Sequence, residues 1–380
     1  MKKLALIALA IVMAAAYVPG AAAEERAESF RLSEFTVDLE KYCEVRDQWH
    51  QKLIDTHEPG TWAKMKFEPT NAQLDALGLP SKEILTSRRY PTPTLVTKDG
   101  RFYDVPMQDL QREFDASLES QMAALPTLTT FAGTGCMGIR PGAWLLLISG
   151  GSIGWCSMAH VYGTPGAYDI STAGHCGKTG DTATVIAAFG NRADASGAVL
   201  LDFGQFGTSR DGGLGNDWAL IDIFPQYQSL VTPTMCFWGG PRGMYTKTGD
   251  LATFNWGGQG PSFTVNPDPT LAQGVVHYGH GLGVGAGGTP RAGATIAWRQ
   301  THFMFFGAIA PGDSGSGANT LLGDSVGANM EAAGIMTHLY IDPLMRQGLG
   351  IMGGTRATAV GGTLANGQIV PYPIPVTGLP

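Results

Sequence analysis

Gly312-Asp313-Ser314-Gly315-Ser316-Gly317 is the stretch around which the rest of the chain is read. Small residues flank Ser314, so the backbone there can bend tightly and turn free N–H groups toward a cleft. Those of Gly312 and Ser314 are placed to stabilise the negative oxygen that forms when a serine hydroxyl attacks a carbonyl carbon. The same string is also good turn sequence, and in a chain with 53 glycines an ordinary surface turn weighs evenly against it until partners are found. A serine hydroxyl is a weak nucleophile alone; the chemistry needs a histidine base and a carboxylate that orients it.

Of eight histidines, His175 has the most suggestive setting, in Ser171-Thr172-Ala173-Gly174-His175-Cys176-Gly177. Small neighbours leave its imidazole reachable, and the adjacent cysteine can staple the loop that carries it, giving the fixed mount a general base needs. A carboxylate is offered by Asn216-Asp217-Trp218-Ala219-Leu220-Ile221-Asp222-Ile223, where Asp217 stands at the mouth of an apolar strand. Asp222 is the rival, but it lies within the strand and faces whichever side alternation dictates.

The whole chain narrows the classes of function. A net charge of −7 over 380 residues gives no basic footprint, which excludes nucleic acid as a partner. Met1-Lys2-Lys3, the apolar run Leu4 to Val18 and Ala21-Ala22-Ala23 read as a secretory signal over residues 1–23, cut after Ala23. No later segment has enough uninterrupted apolar residues to span a membrane, so a secreted, extracellular protein with no membrane contact after signal removal is expected. Five cysteines, Cys43, Cys136, Cys156, Cys176 and Cys236, suggest two disulfides and one residue left over, for which five choices of the odd one times three pairings leave 15 arrangements.

Composition divides the remainder. From Glu24 to Ala123 there are 19 Asp+Glu and 13 Lys+Arg, against 13 and 10 in the 257 residues from Ala124 onward. The first part, residues 24–130, leans helical, with candidates at Ser33–His50, Asn71–Leu77 and Gln108–Ala124. Leu110, Phe114, Leu118 and Met122 recur at helical spacing in the last of these. It is either a small packing domain or a pro-segment that assists folding or blocks a cleft, with the boundary within Pro126–Gly135. Beyond it, over residues 131–362, short apolar runs alternate with Gly-rich turns. Trp144–Ser149, Ile153–Val161, Ala183–Ala188, Trp218–Ile223, Ser262–Val265, Ala294–Arg299, His302–Phe306 and Ala333–Tyr340 predict strands of an all-β barrel or sandwich. A short helix near Pro343–Gly348 closes this part, and residues 363–380 form an irregular tail.

Taken together, TAGHC, NDWALIDI and GDSGSG resemble the trypsin/chymotrypsin-like serine protease family in its secreted bacterial branch, in that family's order of His, Asp and Ser. The resemblance spans about Gly135 to Thr358. It implies a double six-stranded β-barrel with the active site in the seam, His175 and Asp217 from the first barrel and Ser314 from the second. It further implies a secreted endopeptidase, a monomer acting on protein or peptide substrates without cofactor. Ser314 would be nucleophile, His175 general base, Asp217 the group fixing the imidazole tautomer, and Gly312 and Ser314 the oxyanion donors. Cys156–Cys176 looks like the family's bridge beside the histidine, with Cys236 joined to Cys136 or Cys43. Ala308, six residues before the nucleophile, would form the base of the substrate pocket. Gly334-Ile335-Met336-Thr337-His338-Leu339 resembles the pocket wall, with Thr337 placed to bond Asp217 and Leu339 narrowing a place usually held by glycine. With no carboxylate at Ala308, small or medium apolar side chains before the cut are expected. No cysteine follows Ser314, so the family's disulfide around this pocket is absent.

Other motifs carry less. His277-x-x-His280 has no nearby carboxylate or thiol to complete a metal site, and no metal is expected. Gly281-Leu282-Gly283-Val284-Gly285 lacks the lysine and helix of a phosphate cradle. A silent or self-inhibited secreted binding protein on the same fold is the principal alternative. An esterase using the same three residues is a further one, although its α/β-hydrolase form would run Ser, Asp, His.

Overall fold

The computed structural model describes residues 30–33, 39–124, 137–192, 195–235, 239–257, 260–279, 289–321, 330–342 and 348–362. Its strands form two barrels side by side. The first contains β1 (Trp144–Ser149), β2 (Ser152–Ser157), β3 (Val161–Thr164), β4 (Ala167–Thr172), β5 (Thr182–Arg192), β6 (Ala195–Asp211) and β7 (Asp217–Ile223). They pair in the order β2-β1-β5-β6-β7-β4-β3. Only Met158–His160 separates β2 from β3, so the two ends of this path are one bent strand and six staves close a ring. The bend keeps its own bonds, with Met158 N–H donating to Ala143 C=O (3.0 Å) and Ala159 N–H to Ser171 C=O (2.6 Å). Inward-facing Val185, Val199, Leu201, Phe203 and Ile221 are fully buried and fill the interior. Their removal from water is the main force closing the ring.

The second barrel contains β8 (Gly274–Gly279), β9 (Thr289–Trp298), β10 (His302–Ala308), β11 (Gly317–Leu321), β12 (Ala332–Tyr340) and β13 (Leu349–Arg356). Their order is β9-β8-β11-β12-β13-β10, and β10 pairs back onto β9, which closes it. Every described pairing within both barrels is antiparallel. The expected all-β, two-barrel architecture is therefore present. The single strand predicted at Ile153–Val161 is divided by the bend into β2 and β3.

The region before the barrels contains helices Leu39–Thr56, Asn71–Ala76 and Met107–Ala124. The second begins on a capping box, Thr70 accepting from Gln73 N–H while the Gln73 side chain accepts from Thr70 N–H. The region is packed into the barrels rather than set beside them. Thr94–Thr97 pairs with β6, Trp62–Lys64 pairs with β12, and Trp49, Leu74 and Tyr90 share one apolar cluster with Trp155 and Phe305. The boundary segment, the helix expected near Pro343–Gly348, the 363–380 tail, Cys136 and Cys236 lie wholly or mainly outside the described residues, as does the proposed signal. Cys43 lies on helix Leu39–Thr56.

Candidate active site

The loop leaving β4 turns through a single 3₁₀ turn, Gly174–Cys176, that presents His175. The turn is pressed against the first barrel, and a Cβ on Gly174 would stand 1.9 Å from the Arg210 carbonyl oxygen, so no other residue fits before the histidine. Ser209 donates to the carbonyls of Gly174 (3.0 Å) and Gly177 (2.6 Å), and Cys156–Cys176 staples the turn to β2. Asp217 opens β7 with no exposed surface. One carboxylate oxygen accepts from His175 backbone N–H at 3.0 Å, and the other lies 2.6 Å from His175 Nδ1. A carboxylate only accepts, so the ring proton sits on Nδ1 and Nε2 is left bare. Burial alone would raise the Asp217 pKa, but the hydrogen bonds and charge of His175 outweigh it and hold the carboxyl below its usual range.

Ser314 lies between β10 and β11, and its hydroxyl is hydrogen-bonded to His175 Nε2 across the seam. The loop is held by three bonds to two strands. Ser157 of β2 donates its N–H to Ser314 C=O (2.7 Å) and its hydroxyl to Gly312 C=O (2.8 Å), while Gly315 N–H reaches Met336 C=O of β12 (2.8 Å). Gly315 has φ +87°, and a Cβ there would meet Thr172 Oγ1 at 2.2 Å, which accounts for the glycine after the serine. The N–H groups of Asp313, Gly315 and Ser316 are all used internally. Among the described residues those of Gly312 and Ser314 have no acceptor, as a pair of oxyanion donors requires.

Asp313, which the sequence presents only as part of a turn, is a second buried carboxylate of this loop. It has no exposed surface, accepts Ala310 N–H at 2.8 Å, and forms a two-pronged ion pair with Arg291 of β9. Arg291 also donates to Gly279 C=O at 3.0 Å. An internal cation thus fixes the donor loop. The signal was weak because an arginine 22 residues away, in a Gly- and Thr-rich run, marks nothing by itself.

Asp222, the rival carboxylate, pairs across the sheet with Asp169 and Gln205 and is not part of this group. The pocket wall needs one correction. Thr337 does not bond Asp217; its hydroxyl meets His338 Nδ1 (2.8 Å) and Gly353 C=O (3.4 Å). The cause is a register shift between Met336 and His338 in the β12–β13 ladder, a bulge that re-aims the side chain. Thr355 of β13 takes the place beside Asp217, accepting its N–H (3.3 Å) and donating to its C=O (2.9 Å). His338 Nδ1 is 3.9 Å from the Asp217 carboxylate, and burial pushes this imidazole down to about 4, so it stays neutral beside Asp217 and His175. Ala308 ends β10 opposite Leu349, and Leu339 lies on β12 opposite Met352, so both face the same group of strands.

His277 is buried on β8, and His280 and Gly281–Gly285 lie outside the described residues. Cys156, His175 and Cys176 are close enough to surround an ion, but both sulfurs are spent in the disulfide. Among the described residues no other cluster of metal-ligating side chains occurs.

Two antiparallel barrels with a serine, a histidine and an aspartate gathered at their seam define the chymotrypsin-like serine protease fold. Solved structures similar to this chain include Thermobifida fusca protease A, at 18% identity with a TM-score of 0.35, covering 61% of this chain and 98% of that one. Nocardiopsis protease is similar at 15% identity and a TM-score of 0.29, covering 59% and 95%. A serine protease described as specific for glutamic acid is similar at 18% identity and a TM-score of 0.31, covering 61% and 100%. No family model and no curated protein matches the chain.

Proposed function

We propose that this protein is a secreted serine endopeptidase that cuts peptide bonds through an acyl-enzyme on Ser314. The observation that carries the reading is the continuous chain Ser314 hydroxyl, His175 imidazole, Asp217 carboxylate, next to two backbone donors with no acceptor. Ser314 Oγ attacks the scissile carbonyl carbon as its proton passes to bare Nε2, and Gly312 and Ser314 N–H take the oxyanion. Asp217 stabilises the imidazolium without taking its proton. When the tetrahedral intermediate collapses, the C–N bond breaks and the amine leaves with the proton from Nε2. Water, deprotonated by the same nitrogen, then releases the acid and restores Ser314. Ala308, at the position the resemblance assigns to the base of the substrate pocket, offers no carboxylate to pair with a cation, which supports small or medium apolar residues before the cut.

A silent binding protein on this fold is the second reading, favoured by the complete burial of Ser314. Hydrolysis of a fluorogenic peptide separates the two: Ser314→Ala and His175→Ala should each abolish turnover while secretion and the melting profile persist. Turnover retained in either variant contradicts the assignment.

A further inference from the structure

A protease that takes polypeptide substrates needs its nucleophile accessible, yet Ser314 and Asp217 have no exposed surface and the His175 side chain keeps only 2%. A segment of the chain itself lies across the strands that hold the Ser314 loop. Trp62–Lys64 lies antiparallel on β12, with Trp62 opposite Tyr340, Ala63 opposite Leu339 and Lys64 opposite His338. The pairing continues past the strand, as Met65 N–H donates to Thr337 C=O at 3.1 Å. Two residues later the segment has crossed to the other barrel, where Phe67 C=O accepts Trp155 N–H at 2.9 Å. These contacts adjoin the nucleophile. Thr337 follows Met336, which holds Gly315, and Trp155 lies two residues before Ser157, which holds Ser314. The Met65–Lys66 peptide therefore spans the two barrels, between a strand that holds Gly315 and a strand that holds Ser314.

The segment sits as a bound strand does. Ala63, Met65 and Phe67 are buried, and Lys64 and Lys66 between them are exposed. Met65 belongs to the same buried apolar cluster as Ile309, Leu339 and Met352. Trp49, from helix Leu39–Thr56, clamps the outer side by donating its indole N–H to Lys66 C=O at 3.2 Å, and Lys64 pairs with Asp211 at 2.6 Å. Among the described residues neither Gly312 N–H nor Ser314 N–H bonds the Met65 carbonyl. The Met65 carbonyl therefore lacks the two donors that would polarise it for attack.

We propose that Trp62–Phe67 is a built-in occupant of the substrate cleft, bound by strand addition to β12, and that the chain is latent until an extended peptide or a local opening displaces it. The proposal rests on the endopeptidase reading and extends it. The register also states the ligand class: an extended peptide with apolar residues at alternate positions and an unbranched apolar one, as at Met65, beside Ser314.

Met65→Pro removes the N–H given to Thr337 and should raise hydrolysis of an apolar fluorogenic peptide by the full chain roughly tenfold. A synthetic peptide of residues 60–69 should then inhibit that variant competitively. Trp62→Cys with Tyr340→Cys places a disulfide across a directly opposed pair and leaves the cover in position. The oxidised protein should lose hydrolysis, and mild reductant that leaves the buried Cys156–Cys176 bridge intact should restore it. Equal rates in wild type, Met65→Pro, and oxidised and reduced double variant, with a serine-directed phosphonate labelling Ser314 in each, overturn the cover and leave the protease reading intact. A fragment ending at Met65 that accumulates during secretion also overturns it, because the segment would be a substrate. No labelling of Ser314 in any form, Met65→Pro included, overturns both.

Discussion

Replacing Arg291 with methionine tests whether the oxyanion loop is held by an internal ion pair. The guanidinium gives two bonds to the Asp313 carboxylate and one to Gly279 C=O, with the arginine 5% exposed and the aspartate not at all. Removing one partner of such a buried pair costs roughly 3–5 kcal/mol, because the other charge is left without compensation. Part of that cost falls on the loop, since Asp313 also fixes the turn at Ala310 and stands between the two oxyanion donors. Misplacing one such donor lowers kcat about 10²–10³-fold. Arg291→Met should therefore lower the denaturant midpoint and reduce kcat about a hundredfold or more, with a smaller change in KM. Arg291→Lys, which keeps the charge but not the fork, should fall between. Urea unfolding followed by circular dichroism, together with steady-state peptide hydrolysis, measures both. A methionine variant with wild-type midpoint and wild-type kcat would refute the reasoning.

Three further outcomes follow from the same geometry. His160 and His338 are each pushed by burial to about 4, below the roughly 6.5 of an unfolded histidine, so between those values the unfolded chain binds more protons and stability falls as pH drops from about 6.5 toward 4. Asp169, raised to about 6 by burial and then by Asp222, acts oppositely, since its folded form holds the extra proton below that pH; melts at pH 7 and pH 5 should still show a net loss, reduced in His338→Asn. Cys156 and Cys176 close a loop with a sequence separation of 20, so replacing both with alanine should cost roughly 3 kcal/mol and disturb His175, giving a lower urea midpoint and a lower kcat; no change in either contradicts the staple. On a panel of peptides differing before the cut, kcat/KM should be greatest for small or medium apolar residues and low for Arg, with Ala308→Asp raising the Arg value; fastest cleavage after Arg in the unmodified protein contradicts the pocket.

The three side chains proposed as catalytic could be picked out as candidates because each stands among small residues that a tight, specific turn requires, and because they keep one order along the chain. Trp144–Ser149 was legible to the residue, since an apolar run ending at Gly150-Gly151 is a strand followed by a turn. The longest strand, Ala195–Asp211, was missed for the opposite reason. Its glycines break the apolar pattern and read as turn, yet Gly197 and Gly204 lie so close to Val96 and Asp222 backbone that a Cβ would collide. Leu349–Arg356 was hidden in the same way by Gly350, Gly353 and Gly354. Pairings between distant segments leave no local trace. The exchange of Thr337 for Thr355 beside Asp217 depends on one bulge, and the seating of Trp62–Lys64 on β12 joins residues nearly 280 positions apart.

The central claim is that Ser314 is made nucleophilic by His175 and Asp217 at the seam of the two barrels. Reaction of the full chain and of Met65→Pro with a fluorophosphonate, followed by intact and peptide mass analysis, addresses it most directly. The account predicts one adduct per chain, on the peptide containing Ser314, formed faster in the proline variant and absent in His175→Ala. An adduct on another serine, or none in either folded protein, would contradict it.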